Sequence, residues 1–98
     1  MKYARNVHFQ IKAGKDQEFT KLFNSEVLPM LQKQDGFLNE LALVNGPHAL
    51  GISLWDNQRS AEQYATSTYP EVVRKLTPVI EGTPKVETYQ VATSTIRA

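Results

Sequence analysis

Between Phe19 and Leu31 the apolar residues Phe19, Leu22, Phe23, Val27, Met30 and Leu31 recur at helical spacing and form one stripe, while Lys21, Asn24, Gln32 and Lys33 fall largely off it. A helix with one apolar face must bury that face against another layer. Pro29 lies inside the run; it lacks an N–H and its ring would clash with the carbonyl of Ser25, so the helix should bend there. Gly36, in Asp35-Gly36-Phe37, suits the left-handed cap that ends it.

Strands are expected on either side of this helix. Val7, Phe9 and Ile11 alternate with His8, Gln10 and Lys12, a period of two that gives a strand with one apolar face, ending at Ala13-Gly14. Phe37 to Val44 and Ala49 to Trp55 read as an antiparallel hairpin around Asn45-Gly46-Pro47-His48. Asp56 or Asn57 can cap a short helix reaching Thr66, and Thr68-Tyr69-Pro70-Glu71 has the Thr and Glu of a capping box with an early Pro. Pro78 and Glu81-Gly82-Thr83-Pro84 break the pattern before a last strand over Lys85 to Thr93. The order β-α-β-β-α-α-β predicts an α+β, ferredoxin-like domain: a four-stranded antiparallel sheet with its helices on one face.

With 98 residues, the chain is expected to form one domain over 1–98. Eleven Lys and Arg against ten Asp and Glu leave a net charge of +1 without a basic cluster, which points away from nucleic acid and anionic membranes. No apolar run approaches the roughly 20 residues that cross a bilayer, and the polar start Met1-Lys2-Tyr3-Ala4-Arg5-Asn6 is unlike a signal peptide, so a cytoplasmic protein is expected. The absence of cysteine excludes disulfides and thiolate chemistry. His8 and His48 sit in no metal motif, and no metal site is expected.

The helices cover only one face of the sheet. Val7, Phe9 and Ile11 are apolar on one side only, and joining two sheets across a two-fold axis would cover what a monomer of this size leaves open. A homodimer is therefore expected.

Several features now converge. Lys12-Ala13-Gly14-Lys15 precedes a helix ending Val27-Leu28-Pro29-Met30-Leu31, then come Gly36-Phe37 and Leu54-Trp55, with Tyr64 nine residues after Trp55. Over nearly the whole chain this resembles the antibiotic biosynthesis monooxygenase family of dimeric α+β barrels. The resemblance implies a pocket between helices and sheet and a cofactor-free oxygenase acting on a small aromatic or polyketide-like metabolite. In such enzymes the deprotonated substrate itself reduces oxygen, and the protein supplies proton transfer, orientation and a dry cavity. It also implies that Tyr64 and Arg74 face the pocket as catalytic residues.

Trp55 ends a strand face shared with the small residues Ser53, Gly51 and Ala49, which could leave room beside it for a ligand; core or interface packing is the competing role. In the haem-degrading branch of the same barrel, an asparagine in strand one, a tryptophan and a histidine ligand carry the chemistry. The equivalent positions here are Val7, Tyr64 and Arg74, and an arginine is no usual haem ligand. Val7 and Trp55 are the candidate substrate-binding residues.

For His8, one assignment turns it to the helices as a general base; the preferred one turns Val7, Phe9 and Ile11 inward and places His8 near the barrel interior or dimer seam. The acids Glu18, Glu26, Glu62 and Glu71 read as solvated faces or caps. A non-enzymatic dimeric barrel that binds a small ligand, or only stabilises an assembly, is the alternative function. An enzyme should keep a pocket of about 300 Å³ or more with convergent polar groups.

Overall fold

The computed structural model describes residues 1–96. Four strands, β1 (Tyr3–Ile11), β2 (Phe37–Asn45), β3 (His48–Trp55) and β4 (Ile80–Gln90), form one antiparallel sheet in the order β2-β3-β1-β4. The helices α1 (Asp16–Leu22), α2 (Leu28–Gln32), α3 (Gln58–Ser67) and α4 (Tyr69–Leu76) pack on one face of it. This is the α+β, ferredoxin-like arrangement expected from the sequence. Val7, Phe9 and Ile11 on β1 meet Phe19, Phe23, Val27 and Leu31 in the core, so the apolar face of the first strand meets the apolar stripe of the first helical segment. His8 accordingly points to the opposite face, where its Nε2 lies 3.0 Å from Oε1 of Glu87.

The bend at Pro29 is taken up one turn earlier. Between α1 and α2 the backbone widens into a π-helical turn over Phe23–Val27, closed by the Leu28 N–H donating to the Phe23 carbonyl. Pro29 has no N–H to offer the carbonyl of Ser25, and widening the preceding turn relieves that conflict without ending the helix. Phe23 and Val27 remain buried, so the wide turn still contributes to the core.

Asn57 caps α3, its Oδ1 accepting from the Ser60 N–H at 2.8 Å. The capping box expected at Thr68 does not form. Its hydroxyl donates instead to Oε1 of Gln34, at 3.2 Å, tying the start of α4 to the end of α2. The last strand also differs from expectation: β4 starts at Ile80, runs through Pro84 and ends at Gln90. Pro84 is tolerated because β4 is an edge strand and a register shift opposite His8 to Gln10 leaves Gly82 in a left-handed bulge, φ +66°.

The sheet face away from the helices carries Leu41 and Leu43 on β2, opposite Ile52 and Leu50 of β3, and Tyr89 on β4 opposite Ala4. Leu41, Leu43 and Tyr89 are exposed in the single chain. Two amide oxygens, Oδ1 of Asn6 and of Asn39, are buried without a hydrogen-bond partner. Strand alternation puts both on this face.

Candidate functional site

Three residues in one row across the sheet define the site. Arg5 of β1 pairs with Ser53 of β3, and Ser53 with Glu40 of β2. Side chains in such a row share a face, so the cation and the carboxylate both project towards the helices from strands about 10 Å apart, with a small serine between them. Val7 and Gly51 form the next row. Phe23, Val27 and Leu31 from the first helical segment and Tyr64, Tyr69 and Val72 from the last two helices close the space above.

Arg5 is 4 % exposed, which is unusual for a guanidinium. Its terminal carbon lies 4.6 Å from the centre of the Tyr69 ring and 5.3 Å from that of Tyr64, so two aromatic faces take the place of a counter-ion. The Nε and Nη2 donors have no partner, and neither does the Tyr69 hydroxyl. Glu40 acts on Arg5 through its charge but forms no ion pair with it among the described residues. A buried cation and a carboxylate thus line one cavity without forming an ion pair, and two donors of the cation are unused.

Burial sets the protonation states. It lowers the Arg5 value from the ordinary guanidinium one, opposed by Tyr64, Tyr69 and Glu40, yet guanidinium stays charged at any working pH. Burial pushes the Glu40 carboxyl up to about 8, with Arg5 acting in the other direction. Tyr64 and Tyr69 are raised above the usual phenol value, again by burial first, so both remain neutral hydroxyls. Glu40 is thus the site's group that changes charge near neutrality, as a proton acceptor or donor should.

The space is small. About 20 Å³ is open to the centre of a water molecule, room for one ordered water, against the about 150 Å³ that accommodates a benzene ring. The convergent polar groups expected of an enzyme are present, but the volume is not, because Arg5 and the two tyrosines fill it. Arg5 also lines an outer recess of about 110 Å³ with Tyr3, Ala61, Glu62, Ala65 and Thr88, so movement of this one side chain changes the room on both sides.

Of the four residues singled out from the sequence, Tyr64 and Val7 line the cavity. Trp55 stands behind it: fully buried, stacked on Tyr64 at 5.0 Å between centroids, its Nε1 donating to Oγ of Ser53 at 2.8 Å. It fixes two cavity residues, and the room foreseen beside it lies at Gly51 and Ser53. Arg74 is not brought to the cavity. On α4 it is Val72 and Leu76 that face inward; Arg74 projects outward and its guanidinium pairs with the Glu71 carboxylate one turn earlier.

Arg5, Glu40 and Tyr69 carry no role in the sequence reading. A signal for Arg5 was available: counting back in twos from Val7 puts it on the buried face. Glu40 needs the β2–β3 register, which a single sequence does not supply. No group of three or more His, Cys, Asp or Glu that would hold a metal occurs among the described residues, and no helix there is long and apolar enough to cross a membrane.

No family model matches the chain and no curated protein matches its sequence. Solved structures do match. A protein of unknown function from Nitrosomonas europaea superposes with a TM-score of 0.80 at 17% identity, over 99% of this chain and 95% of that one. SnoaB, a cofactor-independent oxygenase from Streptomyces nogalater, gives 0.78 at 12% identity, over 98% of each chain. The ActVA-Orf6 monooxygenase of Streptomyces coelicolor, in complex with nanaomycin D, gives 0.77 at 16% identity, over 98% of this chain and 92% of that one. At these identities the likeness establishes the fold, which is that of the antibiotic biosynthesis monooxygenases.

Proposed function

We propose that this protein is a cofactor-free, monooxygenase-like enzyme that acts on a small aromatic or polyketide-like metabolite in the cavity between sheet and helices. The observation that carries the reading is the buried, unsaturated guanidinium of Arg5 in a fold shared with a cofactor-independent oxygenase. Oxygenation without a cofactor needs the substrate as an anion, because the carbanion or phenolate is what gives an electron to oxygen. Arg5 supplies a fixed positive charge for that anion, in a space dry enough for the charge to count. In the balanced reaction a ring CH2 next to a ketone loses a proton, gives one electron to oxygen, and couples with the superoxide formed. The resulting peroxide anion takes a proton back and, as the hydroperoxide, loses water to leave a new carbonyl.

Tyr64 forms the wall on which an aromatic substrate lies and, as a neutral phenol, donates a hydrogen bond. Val7 gives the apolar floor, and Trp55 holds Tyr64 from behind. Arg74 would have to leave Glu71 and cross α4 to reach this ligand, so Arg5 and not Arg74 holds the substrate anion. Substrate entry moves Arg5 towards the outer recess and parts it from Tyr69. The working unit is a homodimer joined through the open sheet face.

The small cavity favours a second reading, a non-enzymatic dimeric barrel that binds a small ligand. Oxygen uptake by the metal-free protein with anthrone-like phenols and hydroquinones separates the two. Protein-dependent, saturable uptake above the spontaneous rate is expected of the enzyme; uptake equal to the blank across the panel leaves the binding protein.

A further inference from the structure

We infer that Arg5 and Glu40 form a proton-transferring ligand cradle, in which a planar ligand carrying one acidic hydroxyl binds as its anion against Arg5 while its proton moves to Glu40. The inference rests on the reading that the cavity takes a phenolic or enolic ligand, but it does not require oxygen chemistry. It assigns work to two residues outside the expected site.

Geometry comes first. The two unpartnered nitrogens of Arg5 are neighbouring donors of the guanidinium fork, and the residue lines the cavity from β1. Glu40 lines the same cavity from β2, two strands away across Ser53, and forms no ion pair with Arg5 among the described residues. A ligand oxygen placed between them meets donors on one side and a carboxylate on the other. The guanidinium of Arg5 covers the faces of Tyr64 and Tyr69. On ligand entry it shifts towards the outer recess it also lines, a planar group takes its place against the rings, and the unpartnered Tyr69 hydroxyl can bond a second oxygen on that group. Gly51 keeps the floor clear: a methyl there would stand 3.3 Å from Oε2 of Glu40 and 3.3 Å from Phe9.

The proton step balances without any co-reactant. The ligand's O–H bond breaks, its electron pair stays on oxygen, and the proton ends on the Glu40 carboxylate. Before the step the cavity holds Arg5 positive, Glu40 negative and a neutral ligand; afterwards it holds Arg5 positive, Glu40 neutral and a ligand anion. Net charge is conserved, but the negative charge has moved from a carboxylate apart from Arg5 to an oxygen bonded to it. Burial raises Glu40 towards the range of phenols, which lowers the cost of the exchange, and the new charge-assisted hydrogen bonds to Arg5 favour it. The charged and titratable groups that interact with Glu40 are Arg5 and Tyr64, Tyr69 lines the same cavity, and both tyrosines stay neutral throughout.

The test uses 2-naphthol, whose ionised form has its own absorption band, at about pH 9, one unit above the Glu40 value, where Glu40 is mostly ionised and the free naphthol mostly neutral. With the wild-type protein the naphtholate band should grow and saturate, and calorimetry in buffers of different ionisation enthalpy should show no net proton release, because Glu40 keeps the proton. Glu40→Gln should release close to one proton per naphtholate bound. Arg5→Met should abolish the naphtholate band, and Arg5→Lys should weaken it tenfold or more while conserving the charge. Circular dichroism and Trp55 fluorescence establish that each variant is folded.

Naphthol bound only in its neutral form, naphtholate persisting in Arg5→Met, no naphthol binding, or the same proton count in Glu40→Gln as in wild type would each overturn the inference. Ionisation of naphthol without oxygen uptake on any phenol would leave the cradle standing and remove the oxygenase reading. Oxygen uptake that neither Arg5→Met nor Glu40→Gln alters would do the reverse.

Discussion

The guanidinium carbon of Arg5 sits 4.6 Å from the centre of the Tyr69 ring, while the hydroxyl of that tyrosine makes no hydrogen bond. The ring and the hydroxyl therefore have separable roles. Tyr69→Phe keeps the face that stabilises the cation and removes an unpaired buried polar atom, so it should leave stability unchanged or raise it by up to about 1 kcal/mol. Tyr69→Ala removes the face and should cost about 2–4 kcal/mol. Urea unfolding of the two variants measures the difference, and equal losses in both would show that the hydroxyl, not the ring, supports Arg5.

Arg5 is kept at a cost to stability. A buried cation with two idle donors is poorly compensated even between two aromatic rings, and apolar replacements of buried charges are often stabilising. Arg5→Met should raise stability by about 1–3 kcal/mol in chemical denaturation. In the same variant, binding of acidic phenols should fall at least tenfold. A large loss of stability instead would mean that Arg5 is a structural element of the core.

The layout of the fold was legible because it rests on periodicity. The stripe from Phe19 to Leu31 and the alternation Val7, Phe9, Ile11 are local patterns, and each recorded correctly which side is buried. The misjudged places were those where tertiary context outweighs local preference: Thr68 finds a distant partner in Gln34, and Pro84 survives within a strand because that strand is at an edge. The site was half legible. Tyr64 and Val7 lie on buried faces that periodicity identifies, whereas the approach of Glu40 to Arg5 depends on the registers of three strands. Arg74 was misleading because a helical arginine carries no mark of its direction until the inward phase of Val72 and Leu76 is fixed.

Gly51 holds open the floor between Glu40 and Phe9. A methyl group there needs each neighbour to give by a few tenths of an ångström, which the end of Glu40 can do more easily than a core ring. Relief of glycine's backbone entropy offsets part of that strain, so Gly51→Ala should change stability by no more than about 1 kcal/mol. Ligand affinity should drop by about tenfold or more, since the methyl takes space where the cavity has least. Titration with 2-naphthol beside thermal unfolding separates the two effects, and unchanged affinity would place the ligand elsewhere.

The open sheet face gives a prediction about assembly. Leu41 and Leu43 are 55% and 43% exposed on the open face, so a second copy would cover apolar surface there. Light scattering should give a dimer at micromolar concentration. The double substitution Leu41→Asp and Leu43→Asp should shift it to monomer with the circular dichroism spectrum retained. A wild-type monomer in this assay would mean that the face is covered by something other than its own copy.

Glu40 ties stability to pH. Its folded value of about 8 lies above the unfolded value near 4.5, so between those limits the folded protein holds a proton that the unfolded chain has released. Stability from this group is therefore fully present below about pH 4.5 and is lost as pH rises through about 8, the reverse of a salt-bridged carboxylate. A shift of this size corresponds to roughly 3–5 kcal/mol at full burial, and to less as water enters beside Arg5. Glu40→Gln, which resembles the protonated side chain and never ionises, should flatten this part of the stability curve and be more stable than wild type above pH 8. Denaturant midpoints at several pH values from 5 to 9 measure it. Parallel curves for the two proteins would show that burial does not raise Glu40, leaving a carboxylate too weak a base to take the proton of a phenol.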